Sequence, residues 1–200
     1  VGIATHDCWQ PYWKYEDMQH AVCCAHLLRE LKGMEENHPD QTWHKRFADL
    51  LMEMKKVRDK AISKGKAALS DYYLHKFSTS YDEIIRTACV ENPLPEAVPG
   101  KKGRRKRGKV RALIDRLEKY KDSVMMFTRD FRVDFDNNLA ERDLRNIKVK
   151  TKVSGCFRTW EGAKDYLAIM SYVGTARKHG KNAYEAIYNA VTGNPGYIFA

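Results

Sequence analysis

No stretch of this sequence approaches the roughly 20 consecutive apolar residues that a membrane-spanning helix requires. The opening residues, VGIATHD, lack the basic, apolar and small-residue regions of a signal peptide. The expectation is a cytoplasmic protein with no membrane partner. Cysteine is sparse and poorly arranged for cross-linking: five residues, Cys8, Cys23, Cys24, Cys89 and Cys156, an odd number at irregular spacing. Free thiols are therefore expected rather than a disulfide framework. Proline is confined, with three of six falling in NPLPEAVPG at residues 92–100, which breaks any helix there and reads as a linker. No internal repeat occurs, which argues against a solenoid or propeller. An initiating methionine is also missing, and Val1 runs straight into apolar sequence, which reads as a cut inside a larger protein.

What is present is a folding composition. Hydrophobic residues make up 43% of 200, with four Trp and eleven Tyr, enough for one large domain or a core with a helical insertion. The formal net charge is +10 and the isoelectric point about 9.3, which favours polyanionic partners, nucleic acid before membrane surface. Residues 101–111, KKGRRKRGKVR, hold eight basic residues and no acid, so removing them from +10 leaves +2. That run is either a solvated segment or a non-specific phosphate contact.

Hydrophobic spacing divides the chain. VGIATHD reads as a buried strand that delivers His6 and Asp7 to its C-terminal end, and HAVCC as a second. Between them Pro11 suits the first turn of a short helix packed through Trp9, Tyr12 and Trp13. Residues 25–37 are amphipathic through Leu27, Leu28, Leu31 and Met34. Trp43, Phe47, Leu50, Leu51, Met54 and Val57 define a long helix, and Tyr73, Phe77, Tyr81, Ile84, Ile85 and Ala88 another, so the two should pair as a hairpin. Val110, Leu113, Ile114, Leu117, Tyr120, Val124 and Phe127 predict one further long helix. Asp136 is a natural N-cap for a helix from Asn137, KVKTKVSGCF looks extended, residues 160–179 form a helix ended by Gly180, and Asn182 caps a last short one.

Two carboxylates attract chemical interest. Asp7 sits at a strand end, where open α/β sheets place functional groups, although such an Asp is also a common turn former. Glu141, Arg145 and Lys148 fall at i, i+4 and i+7 on one face, while Ala140, Leu144 and Ile147 point another way into a core. The plain reading of Glu141 and Arg145 is a surface ion pair. Phosphodiester chemistry offers another, because it needs divalent ions held by hard oxygen ligands beside cations that grip the backbone. Arg142, Arg145, Lys148, Lys150, Lys152 and Arg158 supply the cations. Trp9, Trp13 and Trp160 are either core aromatics or stacking surfaces for unpaired bases.

HDCWQPYWKY, CAHLLRELKG, DNNLAERDLRNIKVKTKVSGCFRTWEGA and ARKHGKNAYEA together resemble the catalytic region of bacterial transposases of the insertion-sequence-sixty-six family. The similarity is dense in the last third and weak between about residues 42 and 110. It implies the C-terminal part of a DDE transposase: predominantly α with a small β component, a truncated ribonuclease H-like α/β core carrying a helical insertion. Residues 1–40 would belong to the core, 41–108 to the insertion and basic linker, and 109–200 to the return into the core. The resemblance matches Asp7 to the second acid and Glu141 to the final Glu, both ligands of Mg²⁺ or Mn²⁺, with DNA, as transposon ends and target, the partner. A homodimer is one assembly open to it. The first acid of that pattern lies on an earlier strand and has no counterpart after Val1, so this chain alone is expected not to cut or join DNA.

HAVCCAH offers His20, Cys23, Cys24 and His26 as zinc ligands, but their spacing is too tight for a finger and no second paired cluster follows. A buried thiol beside a hydrogen-bonded histidine is expected instead of structural zinc, and the resemblance implies a recurring Cys-Ala-His beside the catalytic centre. Two rival functions remain. A non-catalytic basic helical module would bind nucleic acid irrespective of Asp7 and metal, and a helical scaffold would bind proteins through its hairpin.

Overall fold

The computed structural model describes residues 2–94 and 107–199. Two compact units, Val1–Asn137 and Asn138–Ala200, make up the chain, and its architecture is predominantly helical with a small β component.

The first unit opens with strands β1 (Ile3–His6) and β2 (Gln19–Val22), paired in parallel with His6 opposite Val22 and Ala4 opposite His20. Parallel strands need a crossover, supplied here by residues 7–18 with a short 3-10 turn, Gln10–Lys14, begun by Pro11. Helix α1 (Cys24–Asn37) follows β2 directly, and α2 (Trp43–Ile62) and α3 (Asp71–Glu91) form the expected hairpin. Their periodic faces build the core: Leu27 and Leu31 of α1, Phe47, Leu51 and Met54 of α2, and Phe77, Tyr81 and Ala88 of α3 are all buried. Each buried Leu, Phe or Met among them contributes about 1.5–3 kcal/mol of apolar burial. Tyr73, expected on that face, lies at the exposed end of α3.

One long helix was expected over Val110 to Phe127, but there are two, α4 (Gly108–Lys119) and α5 (Lys121–Arg129). They join at Tyr120, whose φ of −108° and ψ of 26° leave the helical region. Its ring stacks on Trp13, with centroids 3.7 Å apart and planes 10° from parallel. That stacking orients Tyr120, and the hydrogen-bond ladder resumes on both sides, Tyr120 N–H to the Arg116 carbonyl and Val124 N–H to the Tyr120 carbonyl. After α5, buried Arg58 donates through Nη2 to the carbonyls of Phe131 (3.1 Å) and Val133 (2.7 Å). The Cys24 N–H meets the Phe135 carbonyl. Residues 131–137 are thus tied to both α2 and the end of β2.

The second unit contains α6 (Asn138–Ser154), α7 (Trp160–Lys178), α8 (Ala183–Val191) and a 3-10 turn, Pro195–Phe199. Thr159 caps α7 by accepting from the Gly162 N–H, and Asn182 caps α8 as expected by accepting from Tyr184 and Glu185. Ala176, Ala186 and Ile198 form its small core, closed by the Tyr172 hydroxyl, which donates to the carbonyls of Ala186 and Pro195.

Two expectations for α6 fail. KVKTKV is helical through Ser154 rather than extended, because Lys and Arg are good helix formers and no neighbouring strand among the described residues rewards its alternation; Thr151 bonds back to the carbonyls of Ile147 and Lys148. Ala140 and Leu144 are exposed, Leu144 by 55%, and Ile147 is only half-buried, so that side of the helix enters no core.

Buried acids held neutral make the first unit sensitive to alkali. Burial pushes the Tyr81 hydroxyl well above its ordinary value of 10.0, and the Cys24 thiol well above 9.0. Tyr81 also donates to the Leu117 carbonyl at 2.7 Å. Unfolded chains release these protons first, so the stability they confer is intact below pH 9 and declines as pH rises through 9 and 10. Urea midpoints at pH 8 and 10.5 should diverge, and Tyr81→Phe should narrow the gap while costing about 1 kcal/mol at pH 8. A gap unchanged by the substitution would remove Tyr81 from the account.

Candidate active site and nucleic-acid interface

The strand end at Asp7 is built by a strained turn. Cys8 has φ +67°, a conformation that costs a side-chain-bearing residue about 1–2 kcal/mol. Three features hold it: Cys8 N–H donates to His6 Nδ1 (3.2 Å), the Trp13 indole donates to the Cys8 carbonyl (3.4 Å), and the side chain is buried. Burial lifts the Cys8 thiol to about 11, against the opposing pull of Arg116, so it remains protonated.

His6 is buried beneath this turn and His20 lies diagonally across the strand pair. Because His6 Nδ1 accepts from Cys8, its Nε2 carries the proton and donates to His20 Nδ1 at 3.0 Å. His20 Nε2 in turn donates to the Tyr15 carbonyl, also at 3.0 Å. This assigns both rings as neutral and gives every ring nitrogen a partner. Burial, then His20, pushes the His6 imidazole below its ordinary value, while Asp7 pulls it upward. Tyr12 and Trp13 pack their rings within 5 Å of His6. The histidine pair therefore braces the turn. Sequence reasoning missed His20 in this role and Cys8 as the strained residue; alternation on two paired strands could have placed both histidines on one face.

Asp7 is exposed, and its Oδ1 accepts from the Trp9 N–H at 3.1 Å. This is the turn-forming role, and it leaves Oδ2 without a protein partner among the described residues. A carboxylate of this kind fits a hard divalent cation, which takes oxygen ligands. Trp9 is also exposed and Trp160 projects into solvent with Lys164 beside its ring, whereas Trp13 belongs to the packing under the turn.

Cys23 and Cys24 are fully buried. Cys24 Sγ points at the Val22 carbonyl, and Cys23 Sγ accepts from the Asn137 N–H at 3.2 Å. Cys23 Sγ and a ring nitrogen of His26 lie within 4.8 Å of each other.

In the second unit, helical rotation of about 100° per residue places Glu141, Arg145, Lys148 and Lys152 within about 60° of one another. Arg142 stands about 60° beyond Arg145, and Lys150 lies on the other side, with its ammonium 5.4 Å from the Phe157 ring. Arg142, Arg145, Lys148, Lys152 and Arg158 are exposed and Glu141 is partly buried. Lys152 joins this face only because α6 stays helical past Lys148. Asp143 pairs instead with Lys178 of α7.

Of the basic run, residues 101–106 lie outside the described residues. Arg107 and Arg111 both pair with Asp115, and Arg111 also donates to the Asn92 carbonyl. These two arginines anchor the start of α4.

In comparison with known proteins, the family model described as "Transposase IS66 family" matches residues 1–165. No curated protein and no solved structure matches the chain.

Proposed function

The chain belongs to the IS66 transposase family, and from that premise we propose that it contributes to metal-dependent DNA cleavage and strand transfer at the ends of an insertion sequence. Asp7 and Glu141 are the ligands of Mg²⁺ or Mn²⁺ on this reading. The family match supports it most, because residues 1–165 include both acids and the whole basic face of α6. The parallel strand pair, whose first strand ends at His6 just before Asp7, is the support for a ribonuclease H-like core, from segments 1–40 and 109–200, with residues 41–108 as a helical insertion.

Bound metal would supply Lewis-acid activation of the attacking hydroxyl and charge stabilisation at the leaving oxygen. The protein's own groups do the rest. Asp7 offers Oδ2 from a turn that the hydrogen bonds and burial of Cys8 keep rigid. Arg145, Lys148 and Lys152 project beside Glu141 and neutralise phosphates along the strand, with Arg142 and Arg158 extending the basic surface. The exposed Trp9 indole, two residues from Asp7, offers a stacking face for an unpaired base.

A non-catalytic basic module is the competing reading, favoured by the hydrogen bond that gives Asp7 a structural duty in its own turn. Calorimetric titration with Mn²⁺ separates the two. Asp7→Asn and Glu141→Gln should each weaken binding tenfold or more, about 1.4 kcal/mol, whereas equal affinity in both variants would favour the module.

A further inference from the structure

We propose that the turn joining α2 to α3 is a second DNA-binding site, a preformed pocket that seats the phosphodiester backbone and contains neither Asp7 nor Glu141 among its lining residues. Only the identity of the polyanion as DNA rests on the transposase reading.

The pocket encloses about 330 Å³, and Lys56, Lys60, Lys64 and Lys66 line it with no carboxylate among the lining residues. Its floor is apolar, through Leu69, and Tyr73 forms one wall. None of the four ammonium groups pairs with an acid among the described residues, although neighbouring lysines do: Lys55 with Asp59 and Lys76 with Glu53. Like charges gathered without counter-charge repel, so an arrangement of this kind gains its stabilisation from an anionic ligand.

The wall is also rigid. Gly65, at φ +70°, ends α2 with paired hydrogen bonds, Gly65 N–H to the Ile62 carbonyl and Lys66 N–H to the Ala61 carbonyl, a helix stop that needs the left-handed conformation. Leu69 N–H then bonds to the Thr128 carbonyl, Phe131 N–H bonds to the Ala67 carbonyl, and Leu69 is buried. Residues 66–70 are thus clamped to the end of α5, which holds Lys64 and Lys66 facing the helical pair Lys56 and Lys60. Four cations around an apolar floor with one aromatic wall suit phosphates flanking a sugar and base.

The test uses the 200-residue chain and a short random-sequence duplex in EDTA, so that metal sites play no part. Replacing Lys56, Lys60, Lys64 and Lys66 together by Gln should weaken binding at least tenfold at low salt. It should also flatten the plot of log affinity against log salt by about 0.9 for each phosphate that is no longer neutralised. Mass spectrometry should find the four lysines protected from acetylation by the duplex. Unchanged affinity and slope, or acetylation as fast with the duplex as without, would overturn the proposal. Protection by inorganic pyrophosphate and not by duplex would reassign the pocket to a small phosphate and equally overturn it. Failure of the Mn²⁺ titration would remove the catalytic reading and leave these measurements standing.

Discussion

Trp43→Ala is expected to destabilise the first unit by about 4 kcal/mol, the largest loss of any single core truncation here. Trp43 has no exposed surface and begins α2 at the open end of the α2–α3 hairpin. Its indole donates to Gln41 Oε1 at 2.8 Å, and the Gln41 and Asn92 amides exchange hydrogen bonds of 3.1 and 3.0 Å. Asn92 also donates to the Ala88 carbonyl, and its own carbonyl accepts from Arg111. Truncation therefore opens a cavity at a fully buried position and removes one donor from a polar network. For a slope near 2 kcal/mol per molar urea, the midpoint should fall by about 2 M. Trp43→Phe, which keeps most of the volume and loses the indole donor, should fall by less than half as much. Equal losses would mean that the hydrogen bond, rather than packing, carries the contribution of Trp43.

On the metal-dependent reading proposed above, Asp7→Asn placed in the intact transposase should lower transposition by about a thousandfold or more. Losing one anionic metal ligand removes several kcal/mol of transition-state stabilisation, and a thousandfold corresponds to about 4 kcal/mol. Asparagine is the informative replacement because it keeps an oxygen that can accept from the Trp9 N–H while discarding the charge. The turn, with its strained Cys8 and histidine pair, stays intact, so a lost activity reports on the carboxylate. Transposition at the parental frequency would make Asp7 a turn former and nothing more. Glu141→Gln should lower transposition to a similar extent on the same reading.

The helices of the first unit were legible because each buries one continuous stripe. Phe47, Leu51 and Met54, or Phe77, Tyr81 and Ala88, recur at helical spacing, and the partner helix covers that stripe and no other. The break at Tyr120 was not legible, since residues beside it continue the pattern without interruption, and the ring that stacks on Tyr120 there, Trp13, is distant in sequence. KVKTKV misled in the opposite way. Ile147, Val149, Thr151 and Val153 alternate with basic residues as a half-buried strand would, but alternation stabilises a strand only when another strand supplies hydrogen bonds. At the candidate sites, Asp7 and Glu141 could be chosen from residue type, position and resemblance. The Cys8 turn, the His6–His20 chain and the lysine pocket could not, because each consists of partners brought together by folding.

By itself the sequence determined the charge excess, the amphipathic helices, the cap at Asn182, and the blocks that identify the family. All of these depend on residues within a turn or two of one another, where spacing alone decides the outcome. Tertiary structure decided which backbone positions are strained, which histidine nitrogens carry protons, and which lysines face a common cavity. Those properties depend on burial and on hydrogen-bond partners from distant segments, and a linear string carries no record of either until the chain has closed around them.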